Sequence, residues 1–354
     1  MSSHCTRRFV GGRRARYHRG PMPADDLPLF RAFPALRGRI ARRPFIDVPT
    51  PVEPLRIPGH PDAEVFVKRD ELSCALYGGN KPRKLEFIIG RALERGSRRL
   101  VTTGALGTHH GFATTLLGRS AGLATTLVLV PQPVTPEVER SLALDAVYGA
   151  EIVRVAGVPG AVLTTLRVLA RSQLRGERPH LVWTGGSSSV GNIGFVSAAF
   201  ELAEQVEQDA LPKPAEILVP VGSGGTLAGL VVGLGLAGLD TRVRGVLVSD
   251  ILPPSPRALT GLARSTLNRL RRLAPDLPDL RLRPTDFCVD TSELGPGYGV
   301  ATATSAAAQD RARALGLELD ATYSAKCFAA LLARAERGAF HGPVLFWNTY
   351  AGEF

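Results

Sequence analysis

The sequence predicts an α/β fold of mainly parallel, open sheets covered by helices, arranged in two domains. Three observations lead there. From about residue 63, short apolar strands alternate with amphipathic helices, the pattern of strand–crossover–strand units. Glu216–Val221 is a continuous apolar run, as in a strand buried on both faces, and it feeds directly into Gly222-Ser223-Gly224-Gly225-Thr226. The chain has 354 residues, enough for two domains or one large α/β unit.

In chain order, Ala63–Lys68 reads as a strand. Lys81–Arg95 reads as a helix, because Leu85, Ile88, Ile89, Ala92 and Leu93 recur at helical spacing and Gly96 suits its C-terminal end. Arg99–Thr103 is a strand and His109–Ala121 a helix. The alternation continues with Ala124–Val130 (strand), Pro136–Tyr148 (helix), Glu151–Val155 (strand) and Ala161–Leu174 (helix). Leu181–Thr184 is a strand, Ile193–Gln208 a helix, and Glu216–Val221 the buried strand. Val243–Ser249, Asp286–Val289 and Val344–Asn348 supply further strands, and Pro253–Arg283 a helix with irregular flanks.

The net charge of +11 is unevenly placed. Residues 1–43 hold eleven arginines, no lysine and only Asp25 and Asp26 as acids, so +9 of the +11 lies there. The segment reads as a basic, disordered tail, and the rest is nearly neutral. Nucleic acid is therefore not expected as a partner of the folded body. A scaffold or nucleic-acid-binding protein that uses the tail beside a degenerate enzyme body is the alternative from another class. No membrane span is expected, since the longest apolar run, Thr226–Leu239, falls short of the ~20 residues a spanning helix needs. Cys5, Cys74, Cys288 and Cys327 form no CxxC pair, which fits a reducing cytoplasm and argues against a zinc site.

Lysine is scarce: Lys68, Lys81, Lys84, Lys213 and Lys326 stand against 38 arginines. A primary amine condenses with an aldehyde, whereas a guanidinium does not. Lys81 follows Gly78-Gly79-Asn80 at a helix start, where it fits either covalent chemistry or an ordinary first-turn lysine. Gly222–Thr226 lets backbone N–H groups approach an anion ahead of a helix, with Ser223 and Thr226 as hydroxyl donors. It lacks the Lys-Ser/Thr of a Walker loop and the spacing of a dinucleotide fingerprint, so a metal-free phosphate monoester suits it. A tight structural turn is the other possibility. Thr108-His109-His110 opens a predicted helix and suits a carboxylate. The two histidines have no partner at metal-ligand spacing, so no metal is expected, and His110 also fits a capping or packing role. Taken alone, Tyr298 and Tyr323 fit plain burial better than a catalytic role, and Lys326 fits a helix-terminus lysine better than a catalyst.

Taken together, these segments resemble the family of 1-aminocyclopropane-1-carboxylate (ACC) deaminase and D-cysteine desulfhydrase, pyridoxal-phosphate (PLP) enzymes of the tryptophan-synthase-β fold type (fold type II). The likeness spans roughly residues 45–354. Its signatures are Thr50-Pro51-Val52-Glu53-Pro54-Leu55, Gly78–Glu86, Gly185-Gly186-Ser187 with Gly191–Phe195, Gly222–Thr226, Gly297-Tyr298-Gly299 and Asp320–Lys326, in the family's order. The resemblance implies a larger PLP-binding domain of residues 44–83 and 195–354, a smaller inserted domain of residues 84–194, and PLP in the cleft. It implies that Lys81 carries PLP as a Schiff base beside Asn80. Lys84 and Gly222, Ser223, Gly224, Gly225 and Thr226 would hold the phosphate. Thr108, His109 and His110 would grip the substrate carboxylate and the PLP hydroxyl. Tyr298 and Tyr323 would face a small amino-acid substrate, and Thr349, with Ser324 as second choice, would meet the pyridine nitrogen. A homodimer is expected.

The sequence departs from the family at three places. His109 replaces an asparagine. Asn348-Thr349-Tyr350-Ala351-Gly352 replaces a His-Thr-Gly-Gly ending. Ser324 stands where the ACC-opening branch has glutamate. A neutral hydroxyl at the pyridine nitrogen weakens the electron sink and favours loss of a good β-leaving group, so β-elimination of the D-cysteine desulfhydrase kind is expected ahead of ACC opening or another PLP reaction.

Overall fold

The computed structural model describes residues 26–251 and 253–352. Its helices are α1 (Pro28–Ala32), α2 (Asn80–Glu94), α3 (His109–Ser120), α4 (Pro136–Val147), α5 (Val158–Leu174), α6 (Ile193–Glu207), α7 (Gly225–Leu236), α8 (Pro256–Leu273), α9 (Ala303–Ala314) and α10 (Ser324–Glu336). Its strands are β1 (Val52–Pro54), β2 (Val65–Arg69), β3 (Arg99–Ala105), β4 (Ala124–Val130), β5 (Glu151–Arg154), β6 (His180–Val182), β7 (Glu216–Val221), β8 (Arg242–Leu247), β9 (Cys288–Asp290) and β10 (Val344–Asn348).

The strands form two sheets, ordered β1-β2-β10-β7-β8-β9 and β5-β4-β3-β6. Every neighbouring pair is parallel except β1 with β2. Parallel neighbours need crossover helices, and helices on both faces exclude water from the strands. β7 shows the consequence, with all six residues buried, as its unbroken apolar run requires. One core packs α6, α7 and α8 with side chains of β7, β8 and β10. A second packs α9 and α10 against side chains of β2, β7 and β10. The smaller sheet has its own apolar clusters. Among the described residues, no helix is long and apolar enough to cross a membrane.

The disordered basic tail does not extend to residue 43. Residues 1–25 lie outside the described residues, but from Asp26 the chain packs. Leu27, Leu29, Phe30 and Leu36 enter the larger core. Phe33 meets Phe200 edge-on, with ring centroids 5.6 Å apart. Two of the arginines here meet acids from elsewhere in the chain: Arg31 pairs with Glu204 at 2.6 Å, and the covered Arg42 side chain pairs with buried Glu86 at 2.9 Å. Arginine content hid the apolar pattern of residues 27–36, and the neutralising acids lie far along the sequence.

The start of α2 is fixed by a buried ionic cluster. Arg83 donates to Asp70 (2.7 and 2.9 Å) and Glu201 (2.8 Å), and Lys68 donates to Glu201 at 2.5 Å. Thr50 and the Trp347 indole N–H also donate into this cluster. Two cations facing two carboxylates leave no net charge buried, which offsets much of the desolvation cost. The cluster ties α2 to β2, α6 and β10.

Candidate active site

A cleft of about 580 Å³ is lined from both sheets, by the C-terminal ends of β3, β4, β6 and β7 and by the segments that follow β8 and β10. Open parallel sheets place ligand sites at these strand ends, because the loops there vary freely above a rigid base.

Lys81 enters the cleft from the first turn of α2. The preceding Gly79 has φ +78°, and a Cβ there would stand 2.4 Å from the Thr349 carbonyl oxygen. Only glycine admits this approach, which sets Thr349 and Tyr350 against the lysine turn. Lys81 Nζ donates to Asn80 Oδ1 at 2.7 Å and lies 5.7 Å from the Tyr323 ring centroid. Burial pushes its amine down to about 8, against the opposing pull of the Asp320 carboxylate. One turn on, Lys84 Nζ donates to the Gly185 carbonyl at 3.1 Å. Burial, then the nearby Lys81 charge, lowers Lys84 well below the ordinary lysine range.

Facing α2, Gly224 adopts φ +82° and caps α7. Ser187 Oγ accepts from the Gly225 N–H at 2.9 Å and lies 2.8 Å from Ser223 Oγ. Asn80 Nδ2 donates to Thr226 Oγ1 at 3.3 Å, closing the loop onto the lysine turn. A side chain at Gly222 would project toward Tyr323, 3.7 Å from its ring, so the glycine keeps that space open.

Thr108 caps α3, accepting from the Gly111 N–H at 3.4 Å. The His109 ring stands edge-on to Tyr323, centroids 6.3 Å apart, and the Tyr77 hydroxyl donates to the His109 carbonyl at 3.0 Å. Burial lowers the His109 pKa. His110 is nearly covered. Its Nε2 lies 3.0 Å from Thr102 Oγ1, which itself donates to the Val182 carbonyl. Nε2 therefore carries the ring proton, and burial pushes the imidazole down to about 3, keeping it neutral. Tyr323 donates to the Tyr298 hydroxyl at 2.8 Å, and burial raises both phenols, so both stay protonated.

Asn80, Lys81, Lys84, Thr108, His109, His110, Gly222–Thr226, Tyr298, Tyr323 and Thr349 all line this cleft. Ser324 is not among them. It begins α10 fully buried, and its hydroxyl donates to Asp320 Oδ2 at 2.6 Å. Sequence reasoning assigned no role to Asp320, which lines the cleft. Its oxygens accept from the backbone N–H groups of Thr322, Tyr323 and Ser324 as well as from the Ser324 hydroxyl. An aspartate four residues ahead of the serine that opens a helix was the available signal. Ser187 also lines the cleft, marked in the sequence by the Gly185-Gly186-Ser187 signature, whereas Tyr77, which lines it too, carries no local mark.

The two-sheet architecture is that of fold type II PLP enzymes. A solved structure described as an ACC deaminase homologue superposes with a TM-score of 0.75 at 29% identity, over 90% of this chain and 94% of that one. A T.th. threonine deaminase, 18% identical with a TM-score of 0.61 over 92% of this chain and 98% of its own, shares the fold. The model of the family described as "pyridoxal-phosphate dependent enzyme" matches residues 45–349. A D-cysteine desulfhydrase of Salmonella paratyphi A is 33% identical over 88% of this chain and 94% of its own length. A nocardicin C-9' epimerase of Nocardia uniformis subsp. tsuyamanensis is 34% identical over 88% and 93%. The chain belongs to the pyridoxal-phosphate dependent enzyme family, and its cofactor is PLP. A scaffold with a degenerate enzyme body is not favoured.

The residues present fit that cofactor. Half-buried Lys81 and buried Lys84 are close enough for the charge of one to disfavour the charge of the other, and they stand beside a glycine loop and the N-terminus of α7. An anionic phosphate relieves that repulsion.

Proposed function

We propose that the chain is a lyase that takes the α-proton from a small amino acid and expels a β-substituent, yielding a 2-oxo acid and ammonia, as in D-cysteine desulfuration. The observation that carries this is Lys81, a cleft-facing amine held near pKa 8 between Asn80, Tyr323 and the glycine loop. Bound PLP supplies an aldehyde that condenses with amines and a ring that withdraws electrons from the substrate's α-carbon.

Lys81 would be the attachment point, and its freed Nζ the acceptor of the α-proton. Lys84, Ser223 and the α7 N-terminus would hold the phosphate, with Asn80 and His109 against the cofactor. Thr108, His109 and His110 at the start of α3 would orient the substrate carboxylate. Tyr323 and Tyr298, joined by their hydroxyls, would face the substrate and exclude water from the Lys81 amine. Thr349, with Ser324 as second choice, would be the neutral hydroxyl for the pyridine nitrogen. The four hydrogen bonds that Asp320 accepts from residues 322–324 hold its carboxyl group in the cleft, on the side of Lys81. A neutral partner at the ring nitrogen suits a leaving group as good as thiolate or chloride better than a cyclopropane carbon.

We also place the domain division at residues 84–194 within 44–83 and 195–354, with Asp26 onward joining the larger part, and the enzyme as a cytoplasmic homodimer. Epimerisation is a second reading, favoured by the equal likeness to nocardicin C-9' epimerase.

The test is borohydride reduction with peptide mapping, which should label Lys81. Parallel assays should then show more pyruvate from D-cysteine or β-chloroalanine than 2-oxobutyrate from ACC. A label on another lysine, or faster ACC turnover, overturns the proposal. Exchange of the α-hydrogen with solvent deuterium and inversion without pyruvate would establish the epimerase reading.

A further inference from the structure

The cleft does not end at the lysine. It continues into a trough walled by Val158, Val162 and Leu166 of α5, by Trp183 just past β6, and by Ile251 and Leu262 on the larger sheet's side. None of these six side chains bears a charge. The buried flank of α5 sets the register: Ala161, Thr165 and Val168 are buried, Ala161 and Val168 pack with Val101 and Val128 of the small sheet, and Ala161 and Thr165 also border the cleft. The free face of such a helix is ordinarily polar. Here Val162 is 56% exposed, Leu166 60% and Trp183 61%, and all three look into the cleft. Scattered apolar residues need no account, but a contiguous apolar wall joined to a reactive centre marks a binding surface.

We propose that this trough binds the β-substituent of the substrate, and that the preferred substrates are amino acids whose β-leaving group carries an extended alkyl or aryl chain, S-substituted cysteines being the simplest class. The proposal rests on the lyase reading and narrows its substrate. A small β-substituent such as a bare thiol stays near Lys81 and leaves the trough unfilled. For an S-benzyl cysteine, the Cα proton passes to Lys81 and the Cβ–S bond breaks with its electron pair going to sulfur. With one water, the products balance as benzyl thiol, pyruvate and ammonia.

The probe pair is S-benzyl-D-cysteine against D-cysteine, on the holoenzyme. Trp183 and Trp347 are the two tryptophans, and Trp347 is fully buried. The fluorescence difference between wild type and W183F therefore reports on the trough alone. S-benzyl-D-cysteine should shift Trp183 emission to the blue and half-saturate at roughly ten-fold lower concentration or better, the scale on which apolar pockets discriminate. Leu166→Asp, at an exposed helix position that tolerates the change, should erase most of that ratio. Equal half-saturation by the two probes, or a ratio untouched by Leu166→Asp, overturns the proposal. So does strong protection of Trp183 from acrylamide without substrate, which would assign the trough to a second copy of the chain. A selective Trp183 response without pyruvate from either probe would leave the trough standing and overturn the lyase reading instead.

Discussion

Replacing Glu201 by glutamine tests whether the buried ionic cluster holds the lysine-bearing helix in place. Glu201 accepts from Lys68 Nζ (2.5 Å), Arg83 Nη1 (2.8 Å), and the Thr50 N–H (2.9 Å) and hydroxyl (3.2 Å). Glutamine keeps the volume and removes the charge, leaving Lys68 and Arg83 with Asp70 as the remaining carboxylate of the cluster. Burial pushes the Glu201 carboxyl up, but Arg83 and Lys68 outweigh it and hold the group at about 2. A fall from the ordinary carboxylate range to that value corresponds to about 3 kcal/mol of stability at neutral pH. Breaking a buried pair by removing one partner costs about 3–5 kcal/mol, so both routes agree. The sign follows from the lowered pKa: the contribution is complete above the unfolded carboxylate's pKa and is lost as pH falls toward 2. Urea unfolding of wild type and E201Q should therefore differ by about 3–5 kcal/mol at pH 7, and the gap should narrow below about pH 4.5. A difference under about 1 kcal/mol at pH 7, or a gap independent of pH, would refute the reasoning.

Lys84→Ala removes one charge-assisted contact to the phosphate and should weaken PLP binding about ten-fold or more, read by equilibrium dialysis; unchanged affinity removes Lys84 from the phosphate site. Asp145 is fully buried with Oδ2 unpartnered, and burial raises its carboxyl to about 7, against a hydrogen bond from Thr115. A raised carboxyl pKa makes stability fall as pH climbs through the window from about 4 to about 7, by about 4 kcal/mol at most. Asp145→Asn should flatten that slope in thermal unfolding, and an identical slope in both proteins contradicts it. Deleting residues 1–21 should leave the unfolding midpoint and PLP binding unchanged, whereas deletion through Leu36 removes Leu27, Leu29, Phe30 and Leu36 from the core and should cost on the order of 5 kcal/mol; equal midpoints would sink the distinction.

Most strands and crossover helices were legible because their signals are local: apolar periodicity, caps and glycine breaks. α1, β1, α9 and α10 were not assigned. β1 and α1 span three and five residues. α9 is alanine-rich and lacks a strong apolar stripe, with Ser305, Ala308 and Ala312 as its buried residues. The glycine loop, the histidine pair and the lysine turn could each be named from sequence, since each needs particular residue types in a short run. The Ser324 hydroxyl bonds Asp320 at the start of its own helix, a contact that residue type alone does not announce. Asp320 was missed because its place in the cleft depends on how α10 docks.

By itself the sequence determined that a scarce lysine opens a helix after two glycines, that a glycine loop follows a doubly buried strand, and that the fold is parallel α/β. Tertiary structure decided which of these meet. Asn80 and Thr226 are 146 residues apart and bond at 3.3 Å. The α5 periodicity specified a helix, but only its docking on β3 and β4 left Val162 and Leu166 facing the cleft. The physical reason is the range of the interactions. Backbone dihedral preferences and caps act within one turn of chain, whereas burial and charge pairing depend on distances that exist only after parallel strands, joined through long crossovers, have been brought side by side.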